Sequence, residues 1–195
     1  MIRESAPPPA RATGSRSPFV RLRELLDGIP PGKPAISLAV GEPQHPIPAF
    51  VGPVLAQYVA EFGRYPMNKG IDEFAAAVGK WLDRRYTLER PVDPATEVLV
   101  LNGTREGLFL AALAAKNWVK PRPGRAAVLI PNPFYAAYAA GAIAADCEPV
   151  YLPTTRETGF LPDLDALSDE LLARTVAFYL ASPANPQGAV ADEAY

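Results

Sequence analysis

The spacing of apolar residues changes near residue 94. Before it, apolar positions recur at three and four residues. In SPFVRLRELLDGI, Phe19, Leu22, Leu25 and Leu26 share one face, which predicts a short helix. Ser17 stands where it can cap that helix, Pro18 suits its first turn, and Gly28 can end it in the left-handed region. AISLAVGEP reads as a short strand running into a Gly-containing turn. Two amphipathic helices follow. Phe50, Val54, Leu55, Tyr58, Val59 and Phe62 keep helical spacing in the first, and Phe74, Val78, Trp81, Leu82 and Tyr86 in the second.

After Pro94 strands and helices alternate. EVLVL, AAVLI, EPVYLP and TVAFYLA read as buried strands. Between them lie helices from Gly103 to about Trp118, from Phe134 to about Ala145, and over LPDLDALSDELLA with Asp163 at its cap. Alternation of this kind predicts an α/β fold: a three-layer α/β/α, largely parallel sheet with an N-terminal helical arm. The expected organisation is a disordered tail over 1–17, an arm with helices over 18–94, and the first part of a large domain over 95–195.

Composition narrows the function classes. Nineteen basic and 21 acidic residues leave a net charge of −2, which gives no electrostatic case for nucleic acid or an anionic membrane. No apolar run reaches the length of about 18 residues that spans a bilayer. The single Cys147 excludes an internal disulfide and fits a cytoplasmic location. With one histidine and one cysteine, no His/Cys metal site can be assembled. His45, in EPQHPIP, reads as a solvated loop residue, since no His-centred constellation surrounds it. Many of the 23 prolines cluster in APPPA, GIPPGKP, GEPQHPIP and PRPG and mark turns between elements. The tail contains Arg and Ser and few acids, as transit peptides do, but has no amphipathic helix and no secretory apolar core.

Ligands of parallel α/β sheets gather at the carboxyl ends of the strands, which directs attention to NGTREG, PNPFY and SPANPQG. In the first, Gly103, Thr104 and Arg105 stand where a helix begins. Free N–H groups, a close backbone approach, a hydroxyl and a cation suit a phosphate; plain capping by Asn102 or Thr104 is the alternative. In the second, Phe134, Tyr135 and Tyr138 can stack on a flat heterocycle or simply pack. In the third, Pro183 and Pro186 flank Asn185 and hold its amide where it can donate to a ligand, or where it merely completes a turn. Taken together, a phosphate clamp, a stacking face and a fixed donor fit a phosphorylated aromatic cofactor.

The succession GEP, RYPMNKG, NGTRE, PNPFYAAY and SPANPQG resembles the class I/II aminotransferases, fold-type I enzymes that use pyridoxal phosphate. The resemblance runs from about Phe19 to the last residue. It implies that Gly103, Thr104 and Arg105 form the phosphate-binding turn, that Tyr135 stacks on the cofactor ring, and that Asn185 bonds its phenolic oxygen. It further implies that Tyr65 crosses a homodimer interface to the partner's phosphate and that Gly41 lies beside the substrate carboxylate. The wording of SLAVGEPQHPIPAF, LNGTREGLF and PNPFYAAYAAGA is similar to bacterial succinyldiaminopimelate transaminases of lysine biosynthesis. That similarity implies amino and keto acids as partners, with N-succinyl-diaminopimelate and the glutamate/2-oxoglutarate pair as substrates.

The family also needs a Schiff-base lysine, a carboxylate facing the pyridinium nitrogen and a substrate-reading arginine. In the family these lie beyond the Asn-Pro-x-Gly turn. Lys33, Lys69, Lys80, Lys116 and Lys120 do not follow a late strand in the family manner, so no catalytic residue is assigned. The expectation is an amino-terminal half of a longer enzyme, inactive alone. The alternatives are an aspartate, alanine or aromatic transaminase, or a non-catalytic degenerate half-protein. An effector module of a transcription regulator fits poorly, since only about 17 residues precede the first helix.

Overall fold

The computed structural model describes residues 18–34, 36, 41–120 and 123–195. These divide into two compact units, one ending at Arg64 and one running from Tyr65 to Tyr195. The tail over 1–17, with the Ser17 cap, lies outside the described residues, as do residues 35 and 37–40 of the strand expected over 35–43.

In the first unit, α1 (Pro18–Leu26) ends with Arg23 in its last turn, where a cation complements the helix dipole. The single helix expected over 50–62 is not formed. α2 (Val51–Gln57) stops at Tyr58, and a separate 3₁₀ turn covers Val59–Gly63. Gly52 weakens the first turn of α2. Phe50, Val54, Leu55 and Phe62 are all exposed, so no packed face supports a longer helix.

The second unit carries the sheet. α3 (Asp72–Arg85) places Asp72 and Glu73 in its first turn and Arg84 and Arg85 in its last, the charge order that its dipole favours. Gly70, just before it, has φ +76°, and a Cβ there would collide with Val100 Cγ2. Only glycine satisfies both conditions, and the contact pins RYPMNKG against the segment that leads into NGTRE.

That segment, 98–101, is extended but is not the strand that its sequence predicts. Val98 and Val100 are half-buried while Leu99 is 65% exposed, so the alternation of a strand is present. Among the described residues no neighbouring strand takes up its hydrogen bonds, and a strand exists only as part of a ladder. Upstream, Arg90 donates from both terminal nitrogens to Glu97 at 2.5 and 2.9 Å, and the Asp93 N–H donates to the same carboxylate at 2.8 Å. Those hydrogen bonds, with Arg90 first, pull the Glu97 pKa down to about 2.

β1 (Ala127–Asn132), β2 (Glu148–Pro153) and β3 (Thr175–Phe178) form a parallel sheet of order β2-β1-β3. Ala127 pairs with Glu148 and with Thr175 at one end, and Asn132 pairs with Pro153 at the other. α4 (Thr104–Trp118) and α5 (Ala136–Ala144) pack on each other and on the sheet. Ala112, Val128, Ile130, Tyr138, Ala142 and Cys147 form the core between them. Ala127 and Leu129, which point to the other face of β1, are buried as well. α4 and α5 touch closely at Gly141, where a Cβ would lie 2.6 Å from the Phe109 carbonyl oxygen.

The helix expected over 161–173 is shorter than its sequence suggests. Asp163 accepts from the Asp165 and Ala166 N–H groups and so closes a turn, not a helix. α6 (Asp169–Arg174) begins later, and Ser168 caps it by accepting from the Leu171 N–H at 3.2 Å. At its end Arg174 bonds Glu148 at 2.6 Å and the Arg125 carbonyl at 3.0 Å, tying the amino ends of the strands together.

Two outcomes follow from this packing. Gly141→Val destabilises the protein by about 2–3 kcal/mol through overpacking, read as a lower urea midpoint at unchanged slope. Glu97 has a depressed folded-state pKa, so its contribution is present above 4.5 and is lost as pH falls toward about 2. A carboxyl-carbon NMR titration places its midpoint at about 2, and Arg90→Ala returns it toward 4.5.

Candidate functional site

Strand order decides where a site can form. β1 leads through α5 to β2 on one side, and the chain then returns to β3 on the other side of β1. The crossovers diverge there, leaving a crevice at the carboxyl ends of β1 and β3. A cavity lies at that place, lined by Pro133, Phe134, Tyr138, Leu180, Asn185 and Gln187 among others.

A second cavity lies between the starts of α4 and α5, lined by Arg105, Glu106, Phe109, Ala136, Ala137 and Ala140. The N-cap residue of α4 is Gly103 and no side chain caps the helix, so capping by Asn102 or Thr104 is not what occupies this turn. The first-turn N–H groups keep their donor capacity and the positive end of the helix dipole. Gly103 is extended (φ 175°, ψ 148°), which any residue adopts. A Cβ there would meet nothing within 4 Å, so the glycine leaves open space over the helix start.

Arg105 projects from this first turn. Its Nε donates to the Tyr135 hydroxyl at 2.6 Å, and the guanidinium carbon lies 5.4 Å from the ring centroid. Tyr135 is the N-cap residue of α5 and is half-buried. It meets Tyr138 edge-on at 5.9 Å, and Tyr138 stacks on Tyr179 at 4.3 Å with 10° between the rings. The Tyr179 hydroxyl donates to the Leu108 carbonyl at 2.5 Å, so one aromatic column joins β3, α5 and α4. Burial raises the pKa of Tyr138 and Tyr179 and keeps both phenols protonated at neutral pH.

Asn185 is exposed on the loop that follows β3. The loop closes without its side chain: Ala184 donates to the Ala189 carbonyl and Gly188 to the Ala184 carbonyl, both at 2.7 Å, and Ala191 N–H donates to Ser182 Oγ at 3.0 Å. Among the described residues no hydrogen bond to the Asn185 amide appears, so the amide is not spent on completing the turn.

The structure therefore joins Arg105 to Tyr135 directly and brings Asn185 into one cavity with Phe134 and Tyr138. Thr104 lies in the same helical turn as Arg105. Tyr65 is 94% exposed and shares no hydrogen bond or ring contact with them, and Gly41 belongs to the first unit. Two polar residues of the cavity beside Asn185, Thr154 and Gln187, are not singled out by the sequence. The available signal was a polar residue just past the end of EPVYLP and a second amide inside SPANPQG. Open space at Gly103, uncapped N–H groups, a fixed cation and a free amide fit a phosphorylated ring such as pyridoxal phosphate.

Known proteins resemble this chain in sequence and fold. Residues 33–195 match the family model described as Aminotransferase class I and II. The chain is 36% identical over 163 residues to the LL-diaminopimelate aminotransferase of Syntrophobacter fumaroxidans, covering 83% of this chain and 40% of that protein. Over 177 residues it is 34% identical to the LL-diaminopimelate aminotransferase of Moorella thermoacetica, covering 89% and 43%. Among solved structures, an aminotransferase from Neisseria meningitidis superposes with TM-score 0.76 at 34% identity, covering 90% of this chain and 44% of that one. The chain thus spans about two fifths of the length of the curated relatives it matches.

Two substitutions separate ligand binding from folding. Gly103→Ala leaves stability within about 0.5 kcal/mol of wild type, since its φ is ordinary and its Cβ meets no protein atom. The same methyl weakens pyridoxal phosphate binding in isothermal titration by filling the space over the N–H groups. Arg105→Leu weakens it roughly ten- to a hundredfold, the worth of one charge-assisted contact.

Proposed function

The chain belongs to the class I and II aminotransferases, and from that premise we propose that the whole protein catalyses transfer of an amino group between an amino acid and a keto acid. The observation that carries this reading is the Arg105–Tyr135 pair at the uncapped start of α4. It puts a cation and an aromatic ring beside a row of N–H donors, at the loop that leaves the carboxyl end of β1.

The family depends on pyridoxal phosphate, which when bound is the electron sink for charge that develops at the substrate's α-carbon. The chain's own residues hold and orient that group. Gly103 leaves room for the phosphate, and Thr104 and Arg105 supply a hydroxyl and a cation to it. Tyr135 bounds the ring. Asn185 donates its amide N–H to the phenolic oxygen. Tyr65, free of the chain's own core, reaches a phosphate in a second copy, which makes the whole protein a homodimer. The Gly41 backbone lies beside the substrate carboxylate. None of Lys33, Lys69, Lys80, Lys116 and Lys120 lines the cavity beside Asn185 or the one beside Arg105. The 195 residues are therefore assigned cofactor holding and not turnover. A lone buried thiol, Cys147, accords with a cytoplasmic site of action.

The substrate reading is N-succinyl-diaminopimelate with 2-oxoglutarate as amino acceptor, in lysine biosynthesis, supported by the wording of LNGTREGLF and PNPFYAAYAAGA. A second reading, free LL-diaminopimelate, is favoured by the names of the two relatives described above. Steady-state kinetics on the whole protein, loaded with pyridoxal phosphate, distinguish them. The expected result is a kcat/KM for the succinylated acid at least roughly tenfold above those for LL-diaminopimelate, aspartate, alanine and phenylalanine. Preference for LL-diaminopimelate selects the second reading. Preference for aspartate, alanine or phenylalanine removes both substrate readings, and absence of any transamination removes the activity.

A further inference from the structure

Gln187 and Thr154 belong to no assigned role, yet they close the floor of the cavity beside Asn185. Thr154 follows β2 directly and is only 8% exposed, the one buried polar residue among the core positions described. Its N–H and its Oγ1 both donate to the Asn132 carbonyl at the end of β1, at 3.1 and 3.0 Å. With its hydrogen committed there, the Thr154 oxygen can only accept, and Gln187 Nε2 donates to it at 2.6 Å. The same Nε2 lies 3.4 Å from the Pro133 carbonyl. Two acceptors thus fix which end of the amide faces the strands.

The other end of that amide points to the same conclusion. Gln187 Oε1 is buried and has no hydrogen-bond partner among the described residues. A side chain that merely filled space there would do better as leucine, which carries no orphaned oxygen. The donor end is what the glutamine contributes.

We propose that Gln187 is a positioning residue for Asn185. It clasps the 182–190 loop to the carboxyl ends of β1 and β2 through Thr154. The loop's other bonds are internal: Ala184 to Ala189, Gly188 to Ala184, and Ala191 to Ser182. They shape the turn but do not fasten it to the sheet. Gln187, two residues from Asn185, makes the connection to Thr154 and Pro133. The clasp holds the Asn185 amide at a constant height over the crevice without touching the ligand itself. This inference rests on the role proposed for Asn185 above.

The test uses the whole protein and four variants: Gln187→Leu, Thr154→Val, the double variant and Thr154→Ser. Hydrogen exchange in the absence of ligand reads the loop directly. Titration with pyridoxal phosphate, following both affinity and the pH midpoint of its visible absorbance, reads Asn185. Each single loss variant is expected to speed exchange of the Ala184 and Gly188 N–H groups and to weaken binding about tenfold, the worth of one hydrogen bond. The absorbance midpoint moves in both. The double variant loses less than the sum of the two single losses, since both break the Gln187–Thr154 bond, and Thr154→Ser recovers what Thr154→Val loses. Unchanged exchange, additive losses, or a Thr154→Ser variant as impaired as Thr154→Val overturns the clasp. If the unaltered protein binds no pyridoxal phosphate, the proposed function falls, and the exchange rates alone decide the clasp by the same criteria.

Discussion

The parallel pairing of β1 with a strand on each side is the constraint from which the rest of the second unit descends. A parallel pair cannot be closed by a tight turn, so each return must cross a face of the sheet. α5 makes the first return, and the segment containing α6 makes the second. Every strand therefore ends at the same edge, and so do the loops that carry Tyr135, Thr154 and Asn185. Because β2 and β3 flank β1 on opposite sides, the strand order reverses between β1 and β3. The crevice is a consequence of strand order and needs no special sequence. What the sequence supplies is the buried run Ala127–Ile130, apolar on both faces, which only a central strand tolerates.

Above that sheet, contacts between helices fix the chemistry in place. Gly141 lets α5 approach the Phe109 backbone of α4. The Tyr138–Tyr179 stack, with the Tyr179 hydroxyl on Leu108, fastens the same helices to the strand that follows them in space. An offset or stacked ring pair contributes about 0.5–1.5 kcal/mol beyond its burial, and a hydrogen bond about 1. Exposed ion pairs such as Arg64–Glu61 contribute less than either. Packing, not surface charge, thus sets the distance between the start of α4 and the start of α5. That distance is what allows Arg105 to reach the Tyr135 hydroxyl.

Elements whose stability is internal or centrally buried were legible in the chain. Central β1 takes up AAVLI from Ala127 to Ile130, and α3 and α4 match their apolar spacing. Elements that depend on something outside themselves were not. Segment 98–101 alternates like a strand, but no periodicity reveals whether a partner ladder stands beside it. The region 50–62 has a helical stripe, yet the stripe is exposed and nothing packs on it to extend the helix past Gln57. In LPDLDALSDELLA two residues compete as caps. Asp163 was the visible one, and Ser168 prevails because Asp163 is consumed by an earlier turn. The site divides in the same way. Glycine, arginine, tyrosine and asparagine announced themselves by their place after strands, whereas Thr154 and Gln187 matter only through a contact 33 residues apart in sequence.

An exposed Asn185 amide is satisfied by water when no ligand is present, so holding it ready leaves no buried donor unpaired. The burden lies elsewhere, in the entropy of a loop that must present that amide at one height. Prolines on both sides of Asn185 restrict the chain before it folds, which lowers the conformational freedom to be lost. Restriction within the loop nevertheless says nothing about where the loop sits on the sheet. Internal turns shape it, and a bond to the strand ends must place it. Preorganisation here is therefore divided between levels: proline chemistry belongs to the local sequence, whereas placement belongs to the parallel sheet that brings the ends of β1 and β2 beneath the loop. A rigid loop without that floor would hold its amide firmly in the wrong place.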